Sequence, residues 1–240
     1  MHPIERLRYI ARSYGGDPRR LVVETASALR ALGADPAGLV VACRRIVERH
    51  PTSGPLWWLC AHMLTDSDPF AVARRLASEM ADDPTAAQLA DALPVDATVC
   101  VVGWSDLISE ALLHRDDLTV LAIGSDDSAD LLTGAVLAAD VVLIEALAAS
   151  ATEMLAAPGS RAGASVAYCS EVPVWVVFGV GRRIPEAGFR SLVDRVPNEG
   201  VADVVPLGLC SHIATPSGVV AVGDASKAAD CPVALELTRI

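Results

Sequence analysis

A handful of residues stand where they could do chemistry. Glu145 follows the Val-rich run DVVLI (140–144). A carboxylate at a strand's carboxyl end can act as a general base or accept a bond from a ligand hydroxyl. It can equally be solvated at the rim of a sheet. Gly103-Trp104-Ser105-Asp106 follows TVCVVG (98–103) and opens a helix-compatible segment. Ser105 or Asp106 there can cap the helix. With Gly103 they can instead offer backbone N–H groups to a phosphate. The turn is neither a GxGxxG fingerprint nor a GxSxG nucleophile elbow. Arg161 and Gly163 lie in the small-residue loop PGSRAGAS (158–165). Backbone donors beside a guanidinium suit an anion, although a plain connection with an exposed Arg has the same composition.

Three further stretches remain open between structure and function. In GSDD (124–127) the adjacent acids suit a helix start; they would repel a phosphate and accept from a ribose hydroxyl. GVGRR (179–183) is a glycine turn with paired arginines, too short to imply a dinucleotide. RHPTSGPLWW (49–58) places His50, Thr52 and Ser53 before a Trp pair. It reads as a helix stop with capping and buried indoles, or as a helix N-terminus aimed at an anion with His50 nearby.

The elements that must position these residues fall into two regions. Apolar spacing of three and four predicts helices over 20–32, 36–49, 55–64 and 69–80. Pro36 suits a first turn, Pro51 a helix stop, and Ser67 or Asp68 a cap. A short helix over 85–92 follows a hinge at 81–84. After Pro94 the runs at 98–103, 118–123, 140–144 and 173–178 read as strands. Segments 105–114, 126–138 and 161–170 read as the helices between them. Such alternation predicts a parallel sheet covered on both faces. Beyond 200, ADVVPL, SHIAT and GVVAVG read as short strands. The fold class expected is therefore α/β: an N-terminal helical domain (1–82), then a Rossmann-like domain with a mainly parallel sheet (95–240). Ligands of such sheets bind outside the carboxyl ends of the strands.

Composition narrows the classes of function. The 240 residues are 52% hydrophobic and carry a net charge of −11. Residues 1–80 hold 11 arginines and 8 acids, a net of +3, so the remainder carries −14. That acidity argues against a nucleic-acid partner. No apolar run reaches membrane-span length, and the charged segment 1–16 does not read as a signal peptide. A cytoplasmic protein with no membrane partner is expected. Cys43, Cys60, Cys100, Cys169, Cys210 and Cys231 are widely spaced without a CxxC. They read as free thiols, with no metal site and no cofactor implied.

Several stretches together resemble one family, the alpha/beta/delta-type subunits of translation initiation factor 2B. Its relatives include methylthioribose-1-phosphate and ribose-1,5-bisphosphate isomerases. HPTSGPLWWLCAHML (50–64) is similar to the family's Arg-Pro-Thr-Ala-Val-Asn-Leu helix entry. DVVLIEALAAS (140–150) is similar to its strand ending in Gly-Ala-Asp, and SRAGAS (160–165) to its Asn-Lys-x-Gly-Thr turn. The resemblance implies a homodimer through the α/β domain. It also implies a phosphorylated small molecule or nucleotide near His50, Thr52, Gly103, Ser105, Glu145, Arg161 and Gly163. The departures are chemical. His50 replaces the sugar-phosphate Arg, Leu147 replaces the isomerases' catalytic Asp, and Glu145 stands at the Gly. Cys100 lies inside its strand rather than at the end where the isomerases' catalytic Cys lies. The expected function is thus a catalytically degenerate, ligand-sensing or regulatory protein. An active isomerase with Glu145 as relocated base, or an interaction module with a vestigial pocket, are the alternatives.

Overall fold

The computed structural model describes residues 17–31, 35–197, 200–223 and 228–238. Segment 1–16, on which the signal-peptide expectation rests, lies outside them. Among the described residues, no helix is long and apolar enough to cross a membrane. The chain divides into two compact units.

The first unit takes the chain up to Asp83, then Val180–Val196, then the chain from Ala229 on. Four of its described helices start on a polar cap with proline in the first turn. These are α1 (Pro18–Arg30), α2 (Pro36–Arg49), α3 (Gly54–Thr65) and α4 (Pro69–Ala81). The proline comes directly after the cap in three of them and one residue later in α3. Asp17 and Asp35 accept from the N–H groups of Arg19 and Ala37 at 2.8 and 3.1 Å. Asp68, one of two caps expected for α4, accepts from Phe70 and Ala71. A fixed proline φ and an acceptor for orphan N–H groups start a helix at a defined residue.

Helix α3 is apolar almost all round, and nine of its twelve residues are buried, which makes it the unit's central helix. Its indoles are covered by segments from much later in the chain. Gly181 lies against Trp58, and Gly188 of α9 (Glu186–Val193) lies against Trp57. The Arg195 guanidinium sits 5.9 Å above the Trp57 ring. Arg183 grips the Asp230 carboxylate with two nitrogens, at 3.1 and 2.5 Å. Arg44 and Arg195 donate to the carbonyls of Glu236 and Leu237 in or beside α10 (Leu235–Thr238). The sequence places a linear boundary near 82; instead the chain returns to this unit twice.

The second unit holds Pro84–Gly179 and Pro197–Ala228. Its parallel strands are β1 (Thr98–Val102), β2 (Thr119–Ile123), β3 (Val141–Ala149), β5 (Val174–Val177) and β7 (His212–Thr215). The order is β2-β1-β3-β5-β7-β8, where β8 (Gly218–Ala221) closes an antiparallel hairpin on β7. Alternate residues feed two cores. Cys100, Val102, Val142, Ile144, Val176 and Ile213 meet α7 (Ala129–Leu137) and α8 (Ser160–Cys169). Val99, Val101, Leu143, Val177 and Ala214 meet α5 (Thr85–Ala92) and α6 (Asp106–Leu112). Helices on both faces bury the central strands β1, β3 and β5, which is why these read as unbroken apolar runs, while the edge strand β2 stays partly exposed.

Strand β3 departs from its expected length. It does not end at 144 but runs nine residues to Ala149. Its first half pairs in parallel with β1 and β5. Its second half pairs antiparallel with β4 (Glu153–Ala156), and β4 in turn pairs with β6 (Asp203–Pro206). A register shift between Ala146 and Ala148 marks the change. An extra residue on one strand bends it and turns it toward a new partner.

Candidate functional site

The sheet order itself selects a place. From β1 the chain runs through α6 on one face to β2. From β2 it returns through α7 on the other face to β3, past β1. Neighbouring connections thus diverge between the carboxyl ends of β1 and β3. In open α/β sheets, this switch point is where ligands sit.

Gly103 leaves β1 with φ +74, its N–H bonded to the Ile123 carbonyl at 2.9 Å. A Cβ there would overlap that of Ala157 in the loop before α8. The glycine is required both by the left-handed backbone and by this close approach. Trp104 follows and is 59% exposed. Ser105 occupies the N-cap position of α6 but makes no capping bond, contrary to one reading of the sequence. Its hydroxyl is buried and has no hydrogen-bond partner. Asp106 begins the helix and is exposed.

Glu145 is in register with Val177 and is 6% exposed. It does not close its strand at a solvated rim, as one expectation had it. It lies mid-strand at the bend, two positions beyond Leu143, which pairs with Val101. Gly103 is likewise two positions beyond Val101, so Glu145 and Gly103 occupy matching levels of β3 and β1. Leu147, at the position of the isomerases' Asp in the resemblance, is the residue skipped by the register shift.

The loop entering α8 brings the β3–β4 connection back to β1. Gly159 has φ +90 and faces Val102. Gly163 faces Val102 and Leu132, where a Cβ would approach to 3.1 and 3.4 Å. Its smallness lets α8 pack on the sheet. Arg161 is exposed, and its N–H donates to the Asp203 carboxylate at 3.0 Å. Ser160 is fully buried, and its hydroxyl has no hydrogen-bond partner. After β2, helix α7 starts at Ala129 under a Ser128 cap and not at the expected Asp126. Asp127 instead accepts from the Gly124 N–H at 2.8 Å.

The second unit thus brings together Gly103, Ser105, Glu145, Arg161 and Gly163 around the ends of β1 and β3. His50 and Thr52 belong to the helical unit. His50 is the buried C-cap of α2, and Ser53, not Thr52, caps α3. In GVGRR, Gly181 is fixed by Trp58 and Arg183 by Asp230, while Val180 donates to Asp83 at 2.9 Å.

The buried thiols are shielded from any substrate. All six cysteines are free, and all but Cys169 are buried. Burial pushes Cys100 up to about 11, and Cys210 to about 12. Cys60 is raised by its hydrogen bond with Cys43 and by burial. Among the described residues, no group of three His, Cys, Asp or Glu could hold a metal ion.

Sequence reasoning missed Asp203 and Ser160. Ser160 was in plain view beside Arg161. Asp203 is 42 residues away, and only the β4–β6 pairing brings it to α8.

Solved structures share this fold. Translation initiation factor eIF-2B from Pyrococcus horikoshii OT3 superposes with a TM-score of 0.70 at 12% identity, covering 91% of this chain and 96% of that one. A chain of the tetrameric eIF2B-beta2-delta2 complex from C. thermophilum gives 0.71 at 14%, covering 93% and 92%. The 5-methylthioribose 1-phosphate isomerase from Pyrococcus horikoshii OT3 gives 0.60 at 15%, covering 91% and 84%. No protein-family model and no curated protein matches the sequence. The fold that the sequence motifs suggest is the fold the chain has.

Proposed function

We propose that the chain is a ligand-sensing, regulatory homodimer built on this fold, and not an aldose-phosphate isomerase. One observation carries the reading: the positions that would exchange protons are filled by groups that cannot. Leu147 has no titratable atom. At the end of β1, where the isomerases' Cys lies in the resemblance, stand Val102, Gly103 and Trp104, while Cys100 is fully buried within the strand with its thiol pushed up to about 11. A general acid or base needs access to the substrate and a pKa near the working pH. What persists is a switch-point site with a buried carboxylate and two hydroxyls lacking hydrogen-bond partners, which can bind without reacting.

The homodimer is proposed through the α/β unit. Leu131 and Leu137 on α7 and Tyr168 on α8 expose large side chains on neighbouring helices. One of the similar structures is itself a tetrameric complex.

The test is turnover. The full chain, offered phosphorylated aldoses, should give no ketose above the buffer rate. Turnover lost in Glu145→Gln would establish the second reading, an isomerase with a relocated base. Glu145's burial at the bend, level with Gly103 on β1, favours that reading over an interaction module. Sedimentation should give twice the chain mass; a monomer at micromolar concentration would remove the dimer from the proposal.

A further inference from the structure

The strand ends that would receive an anion already carry negative charge. A phosphate held by a protein needs backbone donors, a cation, or both. Beyond β2, the Gly124 N–H is bonded to the Asp127 carboxylate at 2.8 Å. At the entry of α8, the Arg161 N–H is bonded to the Asp203 carboxylate at 3.0 Å. A third carboxyl group, that of Glu145, is buried at the bend of β3. Two backbone donors are therefore occupied, and each is occupied by a group that repels phosphate.

The same strand ends offer something else. Ser105 and Ser160 have buried hydroxyls without hydrogen-bond partners. Ser105 is two residues past Gly103, and Ser160 three residues past Ala157, the two residues in closest approach. Buried polar atoms without partners cost free energy, so a site that keeps them is suited to a ligand that supplies the bonds. Hydroxyls both donate and accept, so they satisfy serines and carboxylates alike. Beside Ser105, Trp104 is 59% exposed at the end of β1. An exposed indole is a stacking surface for a planar ring.

Resting on the ligand-sensing reading above, we infer that the switch-point site takes an unphosphorylated nucleoside. Its ribose hydroxyls meet the carboxylates and serines, and its base stacks on Trp104.

Calorimetric titration of the full chain with matched pairs tests this: adenosine against AMP, guanosine against GMP, uridine against UMP, cytidine against CMP. At least one nucleoside should bind, about tenfold or more tighter than its 5′-monophosphate, because added negative charge meets three carboxylates. Asp203→Asn and Asp127→Asn keep an acceptor oxygen and remove a charge, so each should narrow that ratio several-fold. Trp104→Ala should weaken the nucleoside at least about fivefold. Equal or tighter binding of the phosphorylated partner overturns the inference and leaves the ligand-sensing reading standing. So does binding of ribose 5-phosphate when no nucleoside binds. A chain that binds none of these probes overturns both.

Discussion

Replacing Gly103 by Ala separates a structural glycine from one kept for ligand approach. Two costs follow from the geometry. The residue sits at φ +74, and a left-handed backbone costs an L-residue about 1–2 kcal/mol. The new methyl overlaps the Ala157 methyl, and forced overpacking costs about 1–3 kcal/mol. Against these, alanine lowers the entropy of the unfolded chain, returning roughly 0.4–1 kcal/mol. The expected loss is about 1–4.5 kcal/mol in the α/β unit. Native-state hydrogen exchange of the β1 and β3 amides is the assay, since it reports that unit without assuming that both unfold together. Ala157→Gly on the variant background should recover the overlap alone. A double-mutant cycle should therefore show a coupling of about 1–3 kcal/mol, with the backbone cost remaining. A Gly103→Ala loss below about 0.5 kcal/mol would refute the reasoning outright. A full loss without coupling to Ala157 would refute the overlap.

Two other outcomes follow. Iodoacetamide at pH 8 should label exposed Cys169 quickly and leave Cys100 unlabelled until denaturant is added, as read by peptide mass spectrometry; at a pKa of about 11 only about one Cys100 thiol in a thousand is ionised. Rapid native labelling of Cys100 would reopen thiol catalysis. Arg183→Ala removes the bidentate partner of Asp230, at a cost of about 2 kcal/mol at neutral pH, measured by urea unfolding. Burial raises the Asp230 carboxyl above its usual value while Arg183 opposes the rise. A raised acid favours the fold at low pH and loses that contribution as pH rises through its folded value. Without Arg183 the rise is larger, so the variant's deficit should shrink from pH 7 toward about pH 4. A deficit that grows toward acid would contradict this.

Two helices with an acid and a proline at their start were legible almost to the residue, because capping is local, while α1, with the same Asp17-Pro18 start, begins two residues before the apolar spacing places it. Asp35-Pro36 and Asp68-Pro69 set α2 and α4 without reference to anything distant. The central Val-rich strands were legible because burial on both faces leaves no room for polar residues. What failed was decided by distant partners. EALAA and EMLA are composed of good helix formers, yet they are strands because β3 bends into β4 and β4 finds β6. Segment 186–193 was not read as a helix, although Gly188 is needed there by Trp57. In the site, strand-end positions were legible and their roles were not. Gly163 serves packing, Ser105 leaves its capping bond unmade, and Asp203 reaches Arg161 only through the fold.

The chain's double return to the helical unit has a consequence for synthesis. Trp57 and Trp58 leave the ribosome early, but Gly181, Gly188 and Arg195, which lie against them, follow more than a hundred residues later. At about 5–20 residues per second, the two indoles wait roughly 6–28 s for their covers. The last polar anchors, Asp230 and the carbonyls of Glu236 and Leu237, arrive later still. The nascent N-terminal helices are therefore a client surface for chaperones, and a fragment ended at Asp83 would carry that surface permanently.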